Sequence, residues 1–165
     1  MNKELVQMAF SRYYRKDYFT LEEAIQFLWE RDLINVGELA ELALSAGGDL
    51  KKAARGNKGF DFHDKSDSKY VTVHHYETRT GAISSYATVA GIKNKIGMLR
   101  VMAHEPKTNK NYYFKVPYDV YEPYTGANDT IKIWFDSEGS PRRPKRNTRG
   151  YDLWDYQCTK NEWSK

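Results

Sequence analysis

The spacing of apolar residues along this chain changes once, from helical to strand-like. This change is the sequence feature that most restricts which folds the chain can adopt. Up to Ala46 the apolar residues follow helical spacing, and the pair Gly47-Gly48 then forms a strong helix stop. From Phe60 onward the segments are short, β-branched and aromatic, with turn-forming residues between them. The sequence therefore predicts N-terminal helices followed by a mainly antiparallel, hairpin-rich sheet, which is an α+β fold.

Three amphipathic helices are predicted in the N-terminal region. The first is predicted over residues 2–14, and the second is predicted to begin after Thr20, which is spaced for a capping box with Glu23. Asn35 can cap the third helix, which runs over 36–46.

The remaining elements are predicted to form a sheet and a tail. Five strands are expected at 70–76, 82–92, 97–103, 111–116 and 131–135, joined as a meander of hairpins. Trp154 and Trp163 are expected to pack back onto the domain. A chain of 165 residues suits a single domain 1–165, with a helical region at 1–48, a sheet at 59–135, and a basic loop and tail at 140–165.

Charge and cysteine content limit the partners and the compartment. The formal net charge is +4 and the isoelectric point is about 9.0, which favours a polyanionic partner, and DNA is the partner we expect. The single cysteine, Cys158, cannot form an intramolecular disulfide. With no apolar signal segment and no membrane span, the sequence predicts a cytoplasmic, intracellular protein that is not secreted and has no membrane partner. It sets no oligomeric state and is compatible with a homodimer.

The candidate chemistry lies in an acid–acid–lysine group formed by Asp61, Asp67 and Lys69. Residues i and i+2 of a strand project to the same face, so Asp67 and Lys69 are expected to share a pocket. A tight turn would bring Asp61 beside them. Two carboxylates can hold Mg²⁺, with Mn²⁺ as an alternative, and a lysine can orient water or neutralise charge on a phosphate. The group therefore indicates phosphodiester hydrolysis.

This pattern, preceded by helices and followed by a β-branched strand, resembles the PD-(D/E)XK nucleases. The short gap between the two acids is similar to that in the mismatch-repair nicking endonuclease and related restriction enzymes. The resemblance implies a restriction-endonuclease-like core, metal binding by Asp61 and Asp67, and a catalytic role for Lys69. The family often adds a glutamate from a preceding helix, which implies Glu38 or Glu41 as a further metal ligand.

Basic residues expected to contact DNA phosphates lie in two regions. One surrounds the predicted turn at 94–97, and the other is the proline-bearing loop 140–149. The predicted contacts are Lys93, Lys95, Arg100, Arg142, Arg143, Lys145, Arg146 and Arg149. Contacts of this kind give affinity without sequence choice.

The function predicted from these features is that of a divalent-metal-dependent DNA endonuclease. The alternative left open is a non-catalytic nucleic-acid-binding or protein-binding module of viral or mobile-element origin, in which the acidic segment is a solvated turn. The adjacent residues His74 and His75 should face opposite sides of a strand and cannot easily share one ion. Tyr113 and Phe114 are expected in the core.

Overall fold

The structure of the protein is a computed structural model. It describes residues 2, 4–5, 8, 28, 30–31, 33, 35–46, 49–54, 60–77, 79–81, 83–92, 97–124, 130–135 and 153–165. Most of the first two predicted helices lie outside these residues. The helices with described bounds are α1 (Val36–Ala46), α2 (Tyr118–Tyr121) and α3 (Lys160–Ser164), and 3-10 turns cover Glu122–Tyr124 and Trp154–Tyr156. Within the described stretches of the chain, no helix combines the length and the apolar character that crossing a bilayer requires.

The described residues include seven strands in two sheets, which confirms the predicted α+β class. The strands are β1 (Asp67–Thr72), β2 (His74–Glu77), β3 (Ile83–Ala90), β4 (Leu99–Glu105), β5 (Lys110–Val116), β6 (Thr130–Phe135) and β7 (Gln157–Cys158). The four-stranded sheet has the order β1-β4-β5-β7, and the three-stranded sheet has the order β2-β3-β6. The pairing of β1 with β4 is parallel, and the other pairings of these strands are antiparallel.

The predicted meander is wrong in its connections. The segment 70–76 is broken at Val73, whose amide donates to the carbonyl of His104 at 2.8 Å. Because the Val73 side chain is buried between the sheets, the chain bends there and passes from one sheet to the other. As a result β3 pairs with β6 rather than with β4. Among the described strands, only the β2–β3 and β4–β5 connections are hairpins of the predicted kind.

The main core lies between the two sheets. Strand alternation turns Ala87 and Val89 of β3, and Ile133 of β6, toward Val101 and Phe114 of the four-stranded sheet. All five of these side chains are fully buried. The prediction that Phe114 belongs to the core is therefore confirmed.

A second core covers the other face of the four-stranded sheet. Here Leu39 and Leu44 of α1 pack with Met102, Tyr113 and Trp163. The burial of Trp163 confirms the expected packing of the tail. The described residues therefore form three layers, with helices, the four-stranded sheet and the three-stranded sheet in that order.

The helix α1 begins and ends as predicted. The Asn35 side chain accepts a hydrogen bond from the Glu38 amide at 2.7 Å, which is the expected N-cap. The helix places Leu39, Ala40 and Ala43 toward the sheet, where they are buried. Its position over β1 brings it close to the candidate site.

Candidate functional site

A compact turn that contains Asp61 precedes β1, and Asp67 and Lys69 follow on the strand. The amides of Asp61 and Phe62 both donate to the carbonyl of Ser66, at 2.9 and 3.1 Å. Gly97 packs against this turn with a φ of +94°, and a Cβ there would lie 1.9 Å from the carbonyl oxygen of Lys65. Only glycine fits this close approach, which fixes the turn against the chain that leads into β4.

The carboxylate of Asp61 is hydrogen-bonded to the edge of β1 that faces away from β4. The Asp67 amide donates to Met98 at 2.8 Å on the β4 side, so the next amide along the strand, that of Ser68, faces the opposite way. The Oδ2 atom of Asp61 accepts from this Ser68 amide at 3.0 Å. The turn therefore places the Asp61 carboxylate beside the backbone that joins Asp67 to Lys69.

Asp67 and Lys69 share one face of β1, as predicted. Asp67 is 1% exposed, and its Oδ2 lies 3.6 Å from Nζ of Lys69, whose side chain is 26% exposed. Val71, two residues further on, packs in the core between the sheets, so this face points toward the three-stranded sheet. The result is a buried carboxylate paired with a lysine whose side chain is partly exposed.

Tyr121 lies at the same end of the core between the sheets. Its hydroxyl donates to the carbonyl of Gly97 at 2.6 Å. Burial, followed by the negative charges of Asp67 and Tyr118, raises the pKa of Tyr121 well above its ordinary value. Asp67 is thus close enough for its charge to act on this phenol.

The two glutamates proposed as further ligands lie on α1, across the sheet from Asp67. Tyr70, which faces away from Lys69, packs with the helix-side core, so α1 covers the opposite face of β1. Glu41 forms an ion pair with Lys52 at 2.7 Å. The described contacts join Asp67 to Lys69, and they join Asp61 to the backbone amide of Ser68 between them. They do not bring Glu38 or Glu41 to this group. Among the described residues, no three His, Cys, Asp or Glu side chains are grouped so that they could hold a metal ion.

Arg100, predicted to contact DNA, is instead used inside the protein. It is 2% exposed, and its Nη1 donates to the Trp163 carbonyl at 2.5 Å. Its Nη2 lies 3.3 Å from Oδ2 of Asp64, and its Nε donates to the Ser66 hydroxyl. Burial raises the pKa of Asp64, but hydrogen bonds from Ser66 and Arg100 outweigh this, so it lies below its ordinary value of 3.8. Because the guanidinium is buried and bonded within the protein, it cannot contact a DNA phosphate in this structure.

The other predicted DNA contacts lie outside the described residues. They are Lys93, Lys95, Arg142, Arg143, Lys145, Arg146 and Arg149. Their role stays a prediction.

One feature that the sequence did not indicate is a row of rings on the outer side of the three-stranded sheet. His74, Tyr86 and Trp134 come from three different strands and lie next to one another. Tyr76 and Lys132 flank them, and an open pocket of about 440 Å³ lies among these side chains. Each strand shows its own alternation, but the row exists only because β3 pairs with both β2 and β6. We call this surface the aromatic face.

A second unpredicted feature joins the two sheets. The ring of His75 contacts the Ser85 hydroxyl through Nδ1 at 2.7 Å, and its Nε2 forms a short hydrogen bond with the carboxylate of Glu105. The combination has the residue types of a hydrolase triad. However, Ser85 is fully buried, so no substrate could reach its hydroxyl. The group instead connects β2 and β3 to β4.

Comparison of the chain with protein-family models, curated proteins and solved structures found no match. The resemblance to PD-(D/E)XK nucleases therefore stays a prediction that depends on Asp61, Asp67 and Lys69. The function of the site rests on its own geometry and chemistry.

Proposed function

We propose that this protein is a divalent-metal-dependent DNA endonuclease that hydrolyses phosphodiester bonds with Asp61, Asp67 and Lys69. The observation that carries the proposal is the pairing of a 1% exposed Asp67 carboxylate with the Lys69 ammonium at 3.6 Å. The Asp61 carboxylate accepts a hydrogen bond from the amide of Ser68, which lies between these two residues. Burying a carboxylate is costly, and groups held in such surroundings are common at functional sites.

Carboxylates such as those of Asp61 and Asp67 are the ligand type that a hard divalent cation takes. Magnesium in phosphoryl-transfer sites is usually held by one or two carboxylates, with waters and substrate phosphates completing the coordination. Asp61 and Asp67 would supply these carboxylates. A carboxylate has about four lone-pair positions, so Asp61 can accept from the Ser68 amide and still bind an ion. When bound, Mg²⁺ or Mn²⁺ would polarise the phosphate and lower the pKa of a bound water.

Lys69 is suited to bind the attacked phosphate. Its ammonium group is held near Asp67 and close to the backbone of Gly91, where a Cβ would lie 3.7 Å from Nζ. The side chain is partly exposed, so a phosphate can approach it from solvent. A positive charge fixed in this way stabilises negative charge that develops on the phosphate during hydrolysis.

The net charge and the cysteine content support the proposed substrate and the proposed cellular location. A net charge of +4, with a dense basic run at 142–149, supports DNA as the substrate. Cys158 is a free thiol, which supports a cytoplasmic location.

The test is cleavage of supercoiled plasmid in Mg²⁺ or Mn²⁺ by the full chain and by Asp67→Asn. We expect the variant to lose cleavage by about 100-fold or more, because one metal-binding carboxylate is removed. The matched control is Asp64→Asn, since Asp64 belongs to the same turn but contacts Ser66 and Arg100 instead.

The control should cleave at nearly the parent rate. Equal cleavage by Asp67→Asn and the parent would overturn the proposal, as would a parent protein inactive with both ions. Thermal unfolding of each variant, followed by circular dichroism, shows that a loss of cleavage is not a loss of the fold.

A further inference from the structure

The aromatic face is built by the strand register of the three-stranded sheet. Tyr86 of β3 lies directly opposite both His74 of β2 and Trp134 of β6. The ring centroids are 6.0 Å apart for His74 and Tyr86, and 5.6 Å apart for Tyr86 and Trp134. Tyr76 meets Tyr86 edge-on at 5.6 Å. The three strands therefore present a row of rings that runs across the sheet.

This row lies outside the two cores. The inner face of the same sheet carries Ala87, Val89 and Ile133, which are fully buried against the four-stranded sheet. On the outer face Tyr76 is 43% exposed, and an open pocket of about 440 Å³ lies among the rings. A group of aromatic side chains held at a surface is typical of a binding site, because each ring gives contact area at low entropic cost.

The charge of the aromatic face points to the chemistry of its ligand. The described side chains around the pocket include the cation Lys132 and no carboxylate. Nζ of Lys132 lies 5.7 Å from the ring centroid of Trp134. A row of flat rings with a neighbouring cation complements a chain that carries flat bases and negative phosphates. The net charge of +4 favours the same partner.

We propose that the aromatic face binds single-stranded nucleic acid by stacking unpaired bases on Tyr86, Trp134 and Tyr76, with Lys132 beside a phosphate. Base pairs in a duplex are already stacked on their neighbours, so only unpaired bases can place their faces on these rings. The surface is separate from the candidate nuclease site, because Asp67 faces the inner side of this sheet. The proposal therefore does not depend on the nuclease activity.

The experiment measures binding in EDTA, so that no metal-dependent cleavage takes place. The full chain is titrated into three fluorescein-labelled probes, and the fluorescence anisotropy is followed. The probes are oligo(dT) and oligo(rU) of about a dozen nucleotides and a hairpin duplex with a stem of the same length. We expect Tyr86→Leu to weaken binding of both single strands by about tenfold and to leave duplex binding unchanged. A difference between the two single strands would show which sugar the face prefers.

Further variants keep the proposal falsifiable if Tyr86→Leu does not fold. Tyr76→Leu removes a ring that is 43% exposed and should weaken single-strand binding without loss of stability. Ile83→Ala is the matched control, since Ile83 belongs to the same sheet and is also 43% exposed but has no ring. Lys132→Gln should lower the slope of log affinity against log salt by about 0.7, the value for one phosphate contact on a single strand.

Three results would overturn the proposal. One is unchanged single-strand affinity in the folded ring variants, and another is an equal loss of single-strand and duplex binding. The third is a ligand of another class. A sugar chain such as maltohexaose can also stack on rings, so saturable binding of maltohexaose without binding of either oligonucleotide would assign the aromatic face to carbohydrate instead.

Discussion

The two sheets of this protein differ in how far their polar and aromatic side chains are buried. The four-stranded sheet is covered on both faces, and two of its charged residues, Arg100 and Glu105, are buried against hydrogen-bonding partners. Among the described residues, the three-stranded sheet is covered on its inner face, and its outer rings contact one another beside an open pocket. Arg100 therefore has a structural role in the first sheet, whereas the rings of Tyr76, Tyr86 and Trp134 line an open pocket on the second. Burial, rather than residue type, decides which groups can meet a ligand.

The largest expected effect tests the buried side of this comparison. Arg100→Met removes the guanidinium that bonds Trp163, Ser66 and Asp64, and it leaves the buried Trp163 carbonyl without this donor. We expect a loss of about 3 kcal/mol in the free energy of unfolding, measured by urea denaturation. If Arg100 served DNA rather than the fold, the variant would unfold at the parent urea concentration.

The matched control for this prediction is Arg79→Met. Arg79 lies in an exposed turn between the strands of the three-stranded sheet. Its substitution should change the free energy of unfolding by no more than about 0.5 kcal/mol. A similar loss of stability in both variants would mean that the buried Arg100 contributes no more to the fold than the exposed Arg79.

The contrast between the sheets also explains what the sequence could predict. Asn35, the helical spacing after it and Gly47 are local signals, and they set both ends of α1 correctly. Strand positions were also largely local, since alternation and turn residues mark them. Strand pairing is not local, so neither the parallel β1–β4 pair nor the break at Val73 could be predicted. The two-residue strand β7 is too short to have a pattern.

The candidate site shows the same division. The neighbourhood of Asp67 and Lys69 follows from strand periodicity within three residues, and the structure agrees. The burial of Arg100 depends on Trp163, far along the chain, and no pattern around Arg100 indicates it. The aromatic face needs three strands to align, so it could be found only after the register was known.

A smaller effect is expected where the two sheets meet. His75 and His74 are neighbours on β2, but His75 turns inward to Glu105 and His74 turns outward to Tyr86. His75→Phe should lower the free energy of unfolding by about 2 kcal/mol, since it removes a hydrogen-bond partner from the 1% exposed carboxylate of Glu105. His74→Phe keeps a ring on the aromatic face and should unfold like the parent.

Urea denaturation of His75→Phe and His74→Phe compares the inner and outer faces of β2 at two neighbouring residues. Equal unfolding midpoints for the two variants would show that the inward contact contributes nothing to stability. A larger loss for His74→Phe would reverse the assignment of the two faces.

The smallest effect concerns the acid dependence of stability at the Asp64–Arg100 contact. The pKa of Asp64 is lowered because hydrogen bonds from Ser66 and Arg100 outweigh the opposing effect of burial. A carboxyl group with a lowered pKa stabilises the folded state fully above its unfolded value of 3.8, and this contribution is lost as the pH falls through the lowered folded pKa. Asp64→Asn should therefore be less stable than the parent at pH 6, by less than about 1 kcal/mol. The two proteins should converge once the pH has fallen below the lowered folded pKa of Asp64.

The partner residue supplies the control for this last effect. In the Arg100→Met background the guanidinium contact is already absent, so Asp64→Asn should change the pH dependence less than it does in the parent. Urea midpoints of the four proteins between about pH 2.5 and pH 6 give the coupling directly. An equal pH-dependent change in both backgrounds would show that Ser66 alone holds the pKa of Asp64 down. The buried Arg100 would then act on the fold through Trp163 and not through this carboxylate.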